Sequence, residues 1–226
     1  MSHVLDTLDI ADRGKARVDL VYSPDPLNPY VGYDNVGTIY TRNARWGEAT
    51  PLPEPHELAE MYPDAATPKA ALVTWAQEHH GATVVLPIYA YEHGQVALTA
   101  GAFADPWHSL ATGVIFDIAA GRELVAGDRS TPEQIESALK GELDDYARFV
   151  AGAVYRLRIY DEDGDELTWT HRRYQVAIGE AAGDILGMDQ AEAAMREVAA
   201  SLTAYLDGES TEAAHWAACD VATVGA

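Results

Sequence analysis

Cysteine and long apolar runs are nearly absent from this chain. Cys219 is the only thiol among 226 residues, so neither an intrachain disulfide nor a cysteine-based zinc site is expected. No run of apolar residues approaches the roughly 20 that a membrane-spanning helix needs. The N-terminal residues have no basic start followed by an apolar stretch, so we do not expect a secretory signal peptide. These features predict a protein of the reducing cytoplasm.

Basic residues are also scarce, since 15 lysines and arginines stand against 36 aspartates and glutamates, and the formal net charge is -21. Such a charge repels nucleic acid and anionic lipid, so we expect neither direct nucleic-acid binding nor a membrane partner. Two explanations of the charge stay open. The first is an acidic surface shared by a whole proteome, since Lys15, Lys69 and Lys140 are the only lysines. The second is a surface that imitates the phosphate rows of DNA and occupies a basic cleft on a partner.

Several motifs of catalysis and cofactor binding are missing from the sequence. It has no phosphate-binding loop ending in Lys-Ser or Lys-Thr, no Gly-x-Ser-x-Gly turn and no His-Glu-x-x-His helix. The acidic residues 161–166 resemble the start of a calcium loop, but Asp163-Gly164 is more typical of a hairpin turn. His79 and His80 lie at a predicted helix end, where the helix dipole favours positive charge. We therefore predict no cofactor and no metal ion.

Short segments with alternating apolar residues predict β-strands. The segments are residues 18–22, 37–41, 84–91, 95–99, 113–117 and 153–160. His93-Gly94 is a plausible tight turn, and Asp163-Gly164 turns the last strand toward residues 167–169, so two hairpins are predicted. Pro87 cannot donate a ladder hydrogen bond, which indicates a sheet edge or a bulge.

Three main helices are predicted from caps, stop signals and apolar stripes. The first covers residues 67–80, with Thr67 as its cap and Gly81 as its stop. The second begins after Thr131 and has a long apolar face. The third begins near Asp189 and ends at residues 207–208, and its apolar stripe consists of Ala191, Met195, Val198, Leu202 and Tyr205. Short helices are also expected at residues 56–60 and 210–218, and residues 49–55 are expected to form a loop.

Hairpins with helices between and after them predict an α+β fold, in which three main helices pack on a mainly antiparallel sheet built from hairpins. Strict alternation of strands and helices with a Gly-rich first turn is missing, which disfavours a dinucleotide-binding fold. We expect an α+β core domain over residues 1–180. Residues 181–226 are expected to form a C-terminal helical extension packed on that core.

Two clusters of aromatic and ionisable residues are candidates for a binding site. The first lies in the strand-rich segment 84–117 and consists of Tyr91, Glu92, His93, Asp105, Trp107 and His108. The second consists of Tyr33, Asp34 and Asn35. Asp34 and Asn35 can bond local backbone in a structural turn, which is the favoured interpretation. The alternative is that this second cluster contributes to one site shared with the His93 region.

His93, Asp105 and His108 are the strongest candidates for acid–base or metal chemistry. His93 lies at a turn and Asp105 opens a loop, so both could line one pocket. Zinc accepts such nitrogen and oxygen ligands, but the spacing fits no established ligand pattern. A polar network or binding surface is therefore favoured over a catalytic pocket or a metal site.

Five segments of the chain occur in a recognisable order. They are Asp34-Asn35-Val36-Gly37-Thr38-Ile39, Trp46-Gly47-Glu48, Leu86-Pro87-Ile88-Tyr89-Ala90-Tyr91-Glu92-His93-Gly94, Pro106-Trp107 and Gly113-Val114-Ile115. Together with residues 142–155 they resemble a group of uncharacterised proteins of bacteriophages and mobile elements. In that group Asp is frequent where Glu92 and His108 stand here. The resemblance implies a phage accessory protein, and it implies no activity.

The expected function is that of a phage accessory protein, and a binding protein is favoured over an enzyme. It would act in the cytoplasm of the host cell and bind a host or defence protein that has a basic surface. Its role would be host takeover or anti-defence, with DNA mimicry as one form. Two alternatives stay open: a small enzyme or metal-binding protein with a pocket around His93 and Asp105, and a minor structural protein of the virion.

Overall fold

The computed structural model describes residues 4–10, 16–31, 33–42, 50–92, 94, 96–104, 111–161, 163–167 and 183–207. Its strands are β1 (Val4–Asp9), β2 (Ala16–Tyr22), β3 (Gly37–Thr41), β4 (Thr50–Pro51), β5 (Val85–Glu92), β6 (Val96–Thr99), β7 (Ala111–Asp117), β8 (Val154–Asp161) and β9 (Ile185–Leu186). Its helices are α1 (Pro55–Met61), α2 (Pro68–His80), α3 (Ala119–Ala126), α4 (Pro132–Val150) and α5 (Met188–Asp207). A short 3-10 helix, Gly127–Arg129, follows α3.

The chain divides into two compact units. The first contains residues 1–26 and 153–226, and the second contains residues 27–152. The second unit is an insertion between β2 and β8, which are neighbouring strands of the first unit. Ser23 N donates to Val154 O at 2.9 Å, so the chain leaves the first unit and re-enters it at adjacent points. The boundary that we expected between residues 180 and 181 lies outside the described residues, so it stays a prediction.

The first unit is a four-stranded antiparallel sheet covered by one long helix. The strand order is β1-β2-β8-β9. Val18 of β2 pairs with Ile159 of β8, and Leu20 pairs with Leu157, so one face of the sheet is continuously apolar. That face packs against buried residues of α5 that recur at helical spacing, namely Ala191, Met195, Val198 and Leu202. The predicted third helix is confirmed, and so are these four residues of its apolar stripe.

The second unit is a five-stranded sheet between two layers of helix. The strand order is β4-β3-β7-β5-β6, in which only the contact between β3 and β4 is parallel. One face carries Ile39, Ile88 and Ile115 and packs against α4, whose buried residues are Ile135, Leu139, Leu143 and Tyr146. The other face carries Val114 and Phe116 and packs against apolar residues of α1 and α2. The alternation along β7 thus supplies both cores of this unit.

The predicted α+β class with mainly antiparallel pairing is confirmed, although the strands form two sheets rather than one. The three predicted main helices correspond to α2, α4 and α5. Within the described ranges, no helix combines the length and the apolarity that crossing a bilayer requires.

The start and stop signals of the helices act as the sequence predicted. Thr67 Oγ1 accepts a hydrogen bond from Ala70 N at 3.1 Å, and Gly81 ends α2 with a φ of 63°. At the start of α4, Thr131 and Gln134 form a reciprocal capping box. These contacts satisfy backbone groups that a helix end leaves without partners.

Pro87 occupies the kind of position that its missing N–H allows. It lies opposite Val114 of β7, while β6 pairs only with the later part of β5, from Tyr89 to Glu92. The pairing of β5 with β7 shifts register between Ile88 and Tyr89, directly after the proline. The predicted edge or bulge is therefore confirmed. Among the described residues, Pro87 pairs with no strand on the β6 side, and the pairing of β5 with β7 shifts register next to it.

Some elements differ from the sequence prediction. Strand β1 and helix α3 were not predicted, and residues 49–55, expected as a loop, include β4 and the first residue of α1. The second predicted hairpin turns at Gly164, which has a φ of 84°, and Leu167 N donates to Ile159 O at 2.8 Å. The remainder of that predicted strand and the predicted helix 210–218 lie outside the described residues.

We predict opposite effects from the same substitution at two helical glycines. In Gly121→Ala, the new Cβ would lie 2.1 Å from Val36 O, so α3 would have to move away from the chain beside it. This overpacking should lower the free energy of unfolding by about 1–3 kcal/mol. In Gly141→Ala the Cβ meets nothing within 4 Å, and the gain in helix propensity should raise stability by about 0.5–1 kcal/mol. Urea denaturation of both variants measures the two effects, and equal changes of the same sign would contradict the packing described for Gly121.

Candidate functional site

Tyr33, Asp34 and Asn35 lie in the segment that leads into β3. Tyr33 and Asp34 are exposed, whereas Asn35 is half-buried and its Nδ2 donates to Pro29 O at 3.1 Å. Asn35 therefore closes a local turn, which agrees with the structural interpretation of this cluster. Tyr33 presents its ring to solvent, with 58% of its surface exposed.

Glu142 of α4 holds the same segment from the helix. Its Oε1 accepts from Val36 N at 2.5 Å, and its Oε2 accepts from Gly37 N at 3.0 Å and from the Tyr30 hydroxyl at 3.2 Å. Burial raises the pKa of Glu142, and these hydrogen bonds offset that effect only in part. The sequence did not single out Glu142, because its partner Val36 lies 106 residues earlier.

Asp117, the last residue of β7, is a second buried carboxylate with several partners. It accepts from Thr83 N at 2.8 Å, from Val84 N at 2.6 Å and from Arg122 Nη1 at 2.5 Å. Burial opposes ionisation, but the hydrogen bonds from Val84, Arg122 and Thr83 hold the pKa of Asp117 below its ordinary value. These contacts join β7 to the start of β5 and to α3, so the role of Asp117 is structural.

Tyr91 and Glu92 lie at the far end of β5, away from the Tyr33 cluster. Tyr91 pairs with Ala97 and Glu92 with Val96, and the Tyr91 ring lies 5.6 Å from the Phe103 ring. Tyr91 and Glu92 lie beyond Tyr89, which pairs with Ala111, the first residue of β7. The Tyr33 cluster precedes Gly37, which pairs with Asp117, the last residue of β7. The seven residues of β7 span roughly 20 Å, so the structure does not bring Tyr91 and Glu92 to the Tyr33 cluster.

Four candidate residues, His93, Asp105, Trp107 and His108, lie outside the described residues. The pocket that we predicted around His93 and Asp105 therefore stays a prediction, as does the enzyme that would depend on it. Within the part of the chain that the structure describes, no group of three or more His, Cys, Asp and Glu side chains is arranged to hold a metal ion.

His80, at the end of α2, packs in an aromatic cluster. Its ring centre lies 5.0 Å from the ring of Tyr40, 4.9 Å from that of Trp75 and 5.0 Å from that of Phe116. Burial, together with the neighbouring His79, lowers the pKa of His80. A neutral imidazole that fills space against three rings is a packing group rather than a metal ligand.

Most described basic side chains are already paired with carboxylates. Ion pairs join Arg17 to Asp19, Arg122 to Asp117, Lys140 to Glu136, Arg148 to Asp145, Arg156 to Asp184, Arg158 to Glu166 and Arg196 to Glu192. Among the described basic residues, Arg42, Lys69 and Arg129 have no carboxylate within ion-pair distance. Among the described residues, few unpaired basic side chains are therefore left to offset the other exposed carboxylates.

Helix α1 has two hollows on opposite faces. The first, which we call the acidic groove, is an open hollow lined by Leu52, Pro53, Glu57, Glu60 and Met61. Glu57 and Glu60 are exposed, and Met61 exposes 44% of its surface. The groove therefore combines two carboxylates with accessible apolar atoms.

The second hollow, which we call the arginine cleft, lies between α1 and α2. Its apolar walls include Leu58, Tyr62 and Leu72, and its charged lining residues are Arg42 and Lys69. The cleft encloses a volume of about 270 Å³. In helical spacing, Leu58 and Tyr62 lie on the face of α1 opposite Glu57 and Glu60. The charged lining residues of the cleft are basic, whereas those of the groove are acidic. The sequence analysis identified neither hollow. The lining of the cleft comes from residues as far apart as Arg42 and Ala111, whereas that of the groove lies within residues 52–61.

Comparisons with protein-family models, with curated proteins and with solved structures found no match to this chain.

We predict that Glu142→Gln destabilises the second unit although the two side chains have the same shape. Both carboxylate oxygens accept backbone N–H groups, and an amide NH₂ in place of one oxygen would face another donor. The orphaned N–H should lower the free energy of unfolding by about 1–3 kcal/mol. Glu136→Gln on the same helix loses only an exposed pair with Lys140 and should change stability by less than about 0.5 kcal/mol. Equal denaturation midpoints for the two variants would show that Glu142 does not hold this segment.

We also predict that His80→Phe reduces the acid sensitivity of folding. In the unfolded chain His80 gains a proton near pH ~6.5, whereas the folded chain binds that proton only at lower pH. The neutral imidazole of His80 therefore contributes fully to folding stability above the pKa of the unfolded chain. This contribution is lost as the pH falls through the lowered pKa of His80 in the folded state. Urea denaturation between about pH 7.5 and pH 5 should show that the free energy of unfolding of His80→Phe falls less with decreasing pH than that of the wild type. His56→Gln, which changes an exposed histidine of α1, is the control, and parallel curves for wild type and His80→Phe would contradict the burial of a neutral imidazole.

Proposed function

We propose that this chain is a non-enzymatic accessory protein that binds a basic surface of a partner protein through its acidic groove. The resemblance to phage and mobile-element proteins supports a host or defence protein as the partner and the host cytoplasm as the place of action. The observation that carries the proposal is the internal pairing of cations, which leaves the exposed carboxylates uncompensated.

The charge of the groove suits such a partner. Its lining contains Glu57 and Glu60 and no basic residue. With a net charge of -21 on the whole chain, a basic partner is attracted before contact, and complementary charge speeds such encounters. Repulsion of nucleic acid and of anionic lipid by the same charge favours a protein partner.

The apolar atoms of the groove narrow the class of partner further. Met61 and Pro53 lie beside the two carboxylates and are partly accessible. Lysine and arginine side chains have apolar stems that pack on such atoms while their charged ends meet carboxylates. A segment of the partner rich in lysine or arginine therefore fits the groove best.

The test uses two double variants that remove the same charge from different places. Glu57→Gln/Glu60→Gln neutralises the groove, and glutamine at 57 still accepts the hydrogen bond that Glu54 N makes to Glu57. Glu123→Gln/Glu197→Gln neutralises exposed carboxylates on α3 and α5 that are not part of the groove lining. Immobilised wild type and variants are incubated with bacterial lysate at about 50 and 300 mM salt, and captured proteins are identified by mass spectrometry and then purified for titration.

We expect one basic protein whose capture by the wild type falls at higher salt, because screening weakens contacts between exposed charges. Its affinity for the groove variant should be about tenfold lower, which corresponds to about 1.4 kcal/mol, and its affinity for the control variant should change less. Failure to capture a partner, a partner indifferent to salt, or equal losses in both variants would refute the proposal.

A further inference from the structure

We propose that the arginine cleft binds a small organic anion, a carboxylate or a phosphate ester, whose charged end lies against Arg42 and Lys69 and whose apolar body lies between α1 and α2. This site is distinct from the acidic groove, and the inference does not depend on the proposed protein partner.

Arg42 is the first reason for an anion. Its backbone N donates to Thr112 O at 3.0 Å and its Nη2 donates to Pro53 O at 3.3 Å, while its Nε is buried and has no hydrogen-bond partner among the described residues. Burial lowers the pKa of Arg42, and the charge of Glu54 offsets this only in part. Arg42 also lines the cleft, and no carboxylate of the described residues forms an ion pair with it. An unpaired guanidinium is the group that recognises carboxylate and phosphate oxygens most specifically.

The start of α2 adds a second source of positive potential to the same cleft. Thr67, Pro68 and Lys69, the cap and first residues of the helix, all line it. The N-terminal end of a helix carries a partial positive charge, which the ammonium group of Lys69 reinforces. Two cationic side chains and a helix start therefore meet in one hollow of a chain whose net charge is -21.

The walls of the cleft indicate the polarity and size of the uncharged part of the ligand. Leu58 and Leu72 are 2% and 3% exposed and belong to the core that α1 and α2 share, so the cleft floor is apolar. A volume of about 270 Å³ lies just below the range of ~300–1,000 Å³ that is usual for small-molecule pockets. The cleft thus suits an aromatic or short aliphatic body with a single anionic group.

Isothermal titration calorimetry with four related probes tests the inference. Benzoate and phenyl phosphate carry the proposed chemistry, whereas benzyl alcohol and benzylamine keep the ring and replace the negative charge. We expect saturable binding of at least one anion, at least tenfold weaker binding of the alcohol, and no binding of the amine. The ratio of the two anion affinities then shows whether the natural ligand is a carboxylate or a phosphate ester.

Three variants locate the site. Arg42→Gln should weaken anion binding at least tenfold, and Arg129→Gln, which removes an exposed cation outside the cleft lining, should leave it unchanged. Ala59→Trp places a bulky side chain at an exposed position of α1 in the cleft wall and should block binding while keeping both cations, even if Arg42→Gln fails to fold. Absence of anion binding to the wild type, equal affinity for benzoate and benzyl alcohol, or unchanged affinity in Ala59→Trp would overturn the proposal.

Discussion

The second unit depends on a carboxylate that α4 presents to the start of a strand. Glu142 accepts the N–H groups of both Val36 and Gly37, and it thereby fixes where β3 begins relative to the helix that covers the sheet. At the end of β7, Asp117 accepts hydrogen bonds from the N–H groups of Thr83 and Val84, and it thereby fixes the chain that leads into β5. Buried carboxylates are costly unless hydrogen bonds surround them, and here the backbone supplies those bonds. These contacts hold the end of the sheet at which the Tyr33 segment enters β3.

The described part of this strongly acidic chain pairs most of its few cations with its own carboxylates. Seven of the described arginines and lysines form such ion pairs, several of them at the surface. Helix α1 lies between an acidic and a basic hollow. One of its faces presents Glu57 and Glu60 to solvent, and the other faces a hollow with Arg42 and Lys69. The two hollows therefore differ in the charge of their lining although they share one helix.

Sequence reasoning succeeded where the signal is local. Thr67, Gly81 and Thr131 marked the ends of α2 and α4, and the stripe from Ala191 to Leu202 marked α5, because caps and periodicity act within one helix. It was less informative about sites. Tyr33, Asp34 and Asn35 were grouped with Tyr91 and Glu92 as one possible site, yet β7 separates them, because neighbours on adjacent strands depend on a register that the chain does not display locally.

The sequence by itself determined the α+β class, the hairpin turns, the main helices and the excess of negative charge, since composition and short-range periodicity are sufficient for each. Only the tertiary structure decided that residues 27–152 form a unit inserted between paired strands, that Glu142 reaches Val36, and that Arg42 and Lys69 line one cleft. The physical reason is the same in all three cases. Each depends on contacts between residues distant in the chain, and burial of apolar surface and satisfaction of buried polar groups select those contacts only when the whole unit has folded.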